Sequence, residues 1–243
     1  MPEAGPTWGR EVERADVAGH SCLVYARRPR SVAGLLVDTR RWGDREYLAQ
    51  GERRLSRVAF EHAVARVAVG LRERGAAAGD HVLLLGFNSI EWVVAFWALQ
   101  ALGAVPALGN AWWSDEEVRH AVGQVAPVLA VTDRDLGPDV TRVTFADIRA
   151  LAEGSAEPPL DPVPVAEDDL ALIMFSSGTT GAAKGVLMSH RSVVANIQNL
   201  LLLTGRLPDE LPADHPGTVS LVSVPLFHLA GIQVSLTTLL SGG

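Results

Sequence analysis

The sequence predicts an α/β fold, and three observations lead there. Helical and strand-like stretches alternate along the 243-residue chain, the pattern of a parallel sheet covered by helices. His81–Leu85 is a continuous apolar run of the kind buried on both faces. The helical stretches also carry caps, with Asn88 or Ser89 before one and Ser114 before another.

Taken in order, Ser31–Trp42 reads as a helix, and Tyr47–Gln50 with Arg54–Ser56 as a small hairpin around Gly51. Arg57–Arg74 is an amphipathic helix, with Val58, Ala65, Val69 and Leu71 among its apolar positions, ending at Gly75. The strand His81–Leu85 follows, then a buried helix Ser89–Leu102 and a short strand Ala104–Leu108. Glu116–Val125 is a helix whose first turn carries Asp115, Glu116 and Glu117, which complement its dipole. Val128–Thr132 and Val140–Thr144 are strands, with a short helix running through Leu151.

Pro158, Pro159, Pro162 and Pro164 make Glu153–Glu167 an extended surface connector. Beyond it, Ala171–Phe175 and Val186–Met188 read as strands and Ser189–Leu203 as a helix. Thr204–Gly217 is a Pro- and Asp-rich surface loop. Thr218–Val224 reads as a buried strand and Leu229–Leu240 as a helix. Residues 1–165 are thus expected to form a first α/β subdomain, and 166–243 the start of a second.

Composition narrows the function classes. With 48% apolar and 20% charged residues the chain is of ordinary globular type. A net charge of −7 and the lack of a basic stripe argue against nucleic-acid binding. The clusters Arg27-Arg28-Pro29-Arg30, Arg40-Arg41 and Arg53-Arg54 read as solvated surface. A lone cysteine, Cys22, excludes an internal disulfide and suits a reducing cytoplasm. No secretory signal opens the sequence. Trp92–Trp113 approaches the length of a membrane span, but Gly103, Pro106 and Gly109 punctuate it, so a buried helix and strand fit better. Trp92, Trp97, Trp112 and Trp113 are then core or pocket wall. His20, His62, His81, His120, His190 and His215 show no metal-ligand spacing and read as structural or surface residues.

The chemistry concentrates in Ser176-Ser177-Gly178-Thr179-Thr180-Gly181-Ala182-Ala183-Lys184-Gly185, between two apolar runs. Glycine lets backbone N–H groups turn toward a ligand, and successive N–H groups form an anion-binding concavity. The hydroxyls add donors, and lysine supplies a point charge that can follow a phosphate chain. A polyphosphate is therefore the first ligand to consider. Walker A spacing is not met, because Gly178 is followed by five residues before Lys184 and a strand-like run follows it. A kinase-type G-x-G-x-x-G fits no better. A flexible Ser/Gly turn would not need the ordered Thr-Thr-Gly-x-x-Lys-Gly.

Met174–His190, MFSSGTTGAAKGVLMSH, resembles the phosphate-loop signature of the adenylate-forming superfamily, which includes acyl- and aryl-CoA synthetases. That family usually has proline before the lysine, where this chain has Ala183. Leu55–Asp133 is similar to the family's opening module, and Pro225-Leu226-Phe227-His228-Leu229-Ala230-Gly231 to the motif beside its acyl pocket. The resemblance covers nearly everything beyond Val32. It implies a layered α/β/α fold with mostly parallel sheets, here the first part of a large N-terminal domain.

The resemblance also implies a two-step reaction using ATP, Mg²⁺ and coenzyme A on a small carboxylic acid, fatty or aromatic. Ser176, Ser177, Gly178, Thr179, Thr180, Gly181 and Lys184 would hold the β- and γ-phosphates, with Lys184 offsetting charge on the departing pyrophosphate. His228 would lie where acyl chain, α-phosphate and adenine meet, although a lone histidine in an apolar run is more often a hydrogen-bonded core residue. Amino-acid-activating relatives carry an aspartate beside the phenylalanine, and Phe227-His228 supplies no such charge. The adenine segment, ribose-binding aspartate, hinge and C-terminal lid with its lysine find no match here, so a partial and by itself inactive ligase chain is expected. The alternative is a non-catalytic nucleotide- or acyl-binding module that retains the phosphate loop.

Overall fold

The structure, a computed structural model, describes residues 7–176 and 183–243. Two antiparallel hairpins come early: β1 (Val12–Val17) with β2 (His20–Tyr25), and β3 (Glu46–Gln50) with β4 (Arg53–Ser56). Between them lies α1 (Val32–Asp38), continued by a 3-10 turn at Thr39–Trp42. Then follow α2 (Arg57–Glu73), β5 (His81–Leu85), α3 (Ile90–Leu102), β6 (Val105–Gly109), α4 (Asp115–Val125), β7 (Leu129–Val131), β8 (Thr141–Val143) and α5 (Phe145–Ala152). Beyond the proline-rich connector come β9 (Leu170–Ser176), β10 (Lys184–Ser189), α6 (His190–Leu203) and α7 (Leu229–Leu240).

Six strands form one sheet in the order β10-β9-β6-β5-β7-β8. β5 to β9 are mutually parallel, and only β10 runs against its neighbour. Strands from both sides of residue 165 therefore share this sheet. The mixed α/β class is as the sequence predicts.

Handedness places the helices. A parallel crossover is right-handed, so stepping from β5 to β6 puts α3 on one face, and stepping back from β6 to β7 puts α4 on the other. The pleat agrees. Val82, Leu84, Leu108, Leu129 and Val131 join the core under α2, α3, α5, α6 and α7. Leu83, Leu85, Val105, Ala107 and Ala130 join Val118, Ala121 and Val125 of α4 on the opposite face.

Helix α3 shows how local chemistry and burial combine. Ser89 Oγ accepts the Trp92 N–H at 3.0 Å, and Gly103 ends the helix in the left-handed region at φ 69°. Every residue between is buried. A helix this apolar, with Glu91 and Gln100 its only polar residues, is stable only when covered on all sides, and at 13 residues α3 is too short to span a bilayer. Among the described residues no helix is long and apolar enough to cross a membrane.

Three expectations need correction. Thr218–Val224 forms no strand and pairs with none among the described residues, and Val219 and Leu221 lie exposed. Alternating apolar residues favour an extended chain, but a strand also needs a neighbour. The β1–β2 hairpin lies where no element was expected, turned by Ala18 and Gly19 at φ 51° and 81°. Arg28 is not solvated surface. It is buried, with Nε and Nη2 donating to Glu167 at 2.7 and 2.8 Å and Nη1 donating to the Tyr25 carbonyl.

Candidate functional site

Because β5, β6 and β9 are parallel, the segments that follow them emerge at one edge of the sheet. Ligands of open α/β sheets bind outside that carboxyl edge. The hydroxyl- and glycine-rich stretch of the sequence follows β9. Ser177, Gly178, Thr179, Thr180 and Gly181 of the expected phosphate site lie outside the described residues. The two ends of the stretch are described.

Ser176 closes β9, and Lys184 opens β10 directly opposite it in antiparallel register. The Ser176 hydroxyl donates to the Lys184 carbonyl at 3.5 Å, a long contact. Both residues are exposed, so the lysine ammonium and the serine hydroxyl are open to a ligand. From α4, Gln124 reaches the residues beside the lysine: Nε2 donates to the Ala183 carbonyl at 3.1 Å, and Oε1 accepts the Gly185 N–H at 3.3 Å.

His228 is exposed and forms the N-cap of α7. Its Nδ1 accepts the Ala230 N–H at 3.4 Å, so in the neutral ring the proton sits on Nε2. The turn before it is closed by the His228 N–H donating to the Pro225 carbonyl at 3.0 Å. Asn88, in the β5–α3 loop, accepts the Leu226 N–H and anchors this turn to the sheet edge.

An aromatic line spans the edge between the two candidate groups. Trp113 meets Phe175, next to Ser176, edge-on at 4.8 Å. Its neighbour Trp112 meets Phe227, next to His228, edge-on at 5.5 Å, and Phe87 on its other side at 5.5 Å. Asn110 sets the turn that splays the two tryptophans, accepting Trp112 N–H at its side chain and Trp113 N–H at its carbonyl. Arg134 donates to the Trp113 carbonyl and pairs with Asp115, fixing the turn from below. Trp113 is core, whereas Trp112 is 64% exposed and available as a wall.

A separate cavity of about 310 Å³ lies beside the β3–β4 hairpin, lined by Tyr47, Gln50, Ser89, Ser220, Leu226 and Thr238 among others. Lys184, Ser176 and His228 do not line it. Sequence reasoning named Asn88 as a possible cap and as part of the family's opening module, and passed over Gln124 and Phe87. Asn88 ends the apolar β5 run, where an amide is a turn signal. Gln124 carries no such signal, because an exposed glutamine late in a helix is unremarkable.

The fold and this edge define a class: an α/β domain with a hydroxyl-rich, lysine-bearing loop where parallel strands end. More narrowly, the chain belongs to the AMP-binding enzyme family, which matches residues 37–243, and so to the adenylate-forming superfamily. Feruloyl-CoA synthase from Amycolatopsis sp is 32% identical over 186 residues, covering 74% of this chain and 36% of that protein. Peroxisomal OPC-8:0-CoA ligase 1 from Arabidopsis thaliana is 32% identical over 199 residues, covering 74% of this chain and 35% of that protein. The chain thus spans about a third of the length of the curated relatives it matches. The crystal structure of VinN superposes with TM-score 0.77 at 18% identity, over 89% of this chain and 56% of that one. ATP-bound MatB from Rhodopseudomonas palustris gives TM-score 0.72 at 22% identity, over 86% and 44%. At such identities the likeness is one of fold.

Proposed function

We propose that this chain carries the phosphate-handling edge of an ATP-dependent carboxylate–CoA ligase acting in the cytoplasm. The observation that carries the reading is the register of Lys184 against Ser176 at the carboxyl edge, with the hydroxyl- and glycine-rich stretch of sequence between them. Relatives that are CoA ligases and synthetases support it. In this reading Ser176, Ser177, Gly178, Thr179, Thr180, Gly181 and Lys184 hold the β- and γ-phosphates, and Mg²⁺ accompanies the triphosphate. A carboxylate oxygen attacks the α-phosphorus, the bond to the β-bridging oxygen breaks, and pyrophosphate leaves. A coenzyme A thiol then takes the acyl group and releases AMP.

The chain's own part is charge and placement. Lys184 offsets the charge that builds on pyrophosphate as it departs. His228, with Nδ1 engaged by α7, presents Nε2–H as a donor at the reacting end. Phe227 and Trp112 wall the same end with apolar surface, which suits a fatty or aromatic acid better than a charged amino acid.

Isothermal titration of the 243-residue chain with MgATP tests the reading. Lys184→Ala is expected to weaken binding by about tenfold or more, since hydrogen bonds to charged groups are among the strong ones. Equal affinity in wild type and variant would remove Lys184 from the site. In a polypeptide that also holds the remaining length of the relatives, carboxylate-dependent exchange of labelled pyrophosphate into ATP is expected. Exchange by the 243-residue chain itself is not. Nucleotide binding with no exchange in the longer polypeptide would favour a non-catalytic binding module.

A further inference from the structure

We propose that Gln124 is a positioning residue for Lys184, an inference that rests on the reading of Lys184 as a phosphate contact. A primary amide offers one donor and one acceptor side by side, the complement of the carbonyl and N–H that a peptide presents. Gln124 uses both, on the two residues that flank the lysine: Nε2 donates to Ala183 O at 3.1 Å and Oε1 accepts from Gly185 N at 3.3 Å.

These two backbone contacts fix which way the amide faces, and a third contact follows from that orientation. Its Nε2 lies 2.7 Å from Nε2 of His120, one turn earlier on α4. With Gln124 donating, His120 accepts through Nε2 and carries its proton on Nδ1. The platform under both residues is firm. Ser114 and Glu117 form a capping box at the start of α4, and Val118, Ala121 and Val125 are buried against the sheet.

The lysine needs such help because, among the described residues, β10 ends the sheet with β9 as its one strand neighbour. At the entrance of β10 the side-chain contact with β9 is the long Ser176–Lys184 contact. Gln124 therefore holds the peptide on both sides of Lys184 and sets where its ammonium leaves the sheet. Pre-setting a charged donor lowers the ordering cost that a ligand would otherwise meet.

The test uses the 243-residue chain, inorganic tripolyphosphate as the probe, and Gln124→Met, which keeps length and removes both polar atoms. The dissociation constant is expected to rise about five- to tenfold, the effect of losing two exposed hydrogen bonds. Melting temperature should hold within about 2 °C, because the side chain is exposed. Exchange of the Gly185 amide should speed up without ligand. In a Lys184→Ala background the Gln124→Met change should add nothing, the non-additivity expected of residues acting as one unit. If wild type binds tripolyphosphate and Gln124→Met binds it equally well, the positioning role is overturned. If wild type does not bind it at all, the phosphate reading of Lys184 falls first and this role with it.

Discussion

Asn88 and Leu226 are joined by a 2.8 Å hydrogen bond from the Leu226 N–H to the Asn88 Oδ1. The same amide donates Nδ2 to the carbonyls of Val222 and Val224 at 3.2 and 2.9 Å. One side chain beside β5 therefore holds three peptide groups of a segment that has no strand partner among the described residues. Asn88→Ala should cost about 1–3 kcal/mol, the range for stranding such groups. It should also speed exchange at the Leu226 amide. Identical denaturation midpoints for the two proteins would show that the clamp carries no weight.

The contrast between this segment and α3 shows what a sequence discloses. Ser89, a run apolar but for Glu91 and Gln100, and Gly103 specify α3 within a few neighbouring residues, so its start, end and burial are all legible. Thr218–Val224 reads as a buried strand, but a strand depends on a partner, which periodicity does not report. The β1–β2 hairpin hides because Glu13, Arg14 and Asp16 break its apolar alternation, leaving Ala18-Gly19 as the one turn signal. The site behaves alike. The hydroxyl- and glycine-rich stretch ending at Lys184 is visible because its composition is unusual, whereas Gln124 meets its targets across 59 and 61 residues of chain.

Arg28 and Glu167 are separated by 139 residues, which is why the burial of Arg28 was not legible. Their side chains are 5% and 14% exposed, and Arg30 and Arg191 lie 3.1 and 3.0 Å from the same carboxylate. Burial works against the Glu167 charge, but the Arg28 hydrogen bonds and the neighbouring cations outweigh it, holding its pKa below the usual carboxylate value. Glu167→Ala leaves the buried guanidinium with the Tyr25 carbonyl and the more distant Glu13 carboxylate at 3.9 Å, and is expected to cost about 3–5 kcal/mol. The double change Arg28→Met with Glu167→Leu should recover most of that loss. A double variant no better than Glu167→Ala would show that packing, and not the stranded charge, sets the cost.

His190 gives the stability a pH dependence. It is 1% exposed, its Nδ1 accepts the Val32 N–H at the start of α1, and its Nε2 has no partner among the described residues. Burial lowers its pKa, and the nearby Asp169 charge only partly opposes this. A lowered folded value means that the folded state binds fewer protons than the unfolded one, so acid favours unfolding. This contribution is complete above the ordinary histidine value of 6.5 and declines as pH falls below it toward the folded value. Urea midpoints measured downward from neutrality should drop over that interval, and His190→Asn should flatten the drop. A slope unchanged in His190→Asn would assign the proton to another group.

Gly231 explains why the turn carrying His228 requires glycine three residues later. It sits in the first turn of α7 where a Cβ would lie 2.1 Å from the Pro225 carbonyl oxygen and 2.7 Å from its carbon. Both atoms are backbone, so no rotamer change relieves the clash, and either the helix start or the Pro225–His228 turn must move. That turn is closed by the His228 N–H to Pro225 and the Gly231 N–H to the His228 carbonyl at 2.9 Å. Gly231→Ala is therefore expected to cost about 1–3 kcal/mol through overpacking. The larger effect should fall on His228, whose ring would lose its Ala230 contact. Histidine proton resonances report this directly: the His228 ring signals should shift in Gly231→Ala while those of buried His190 stay in place. Unmoved His228 signals would mean that the turn absorbs a methyl group and that glycine is not required there.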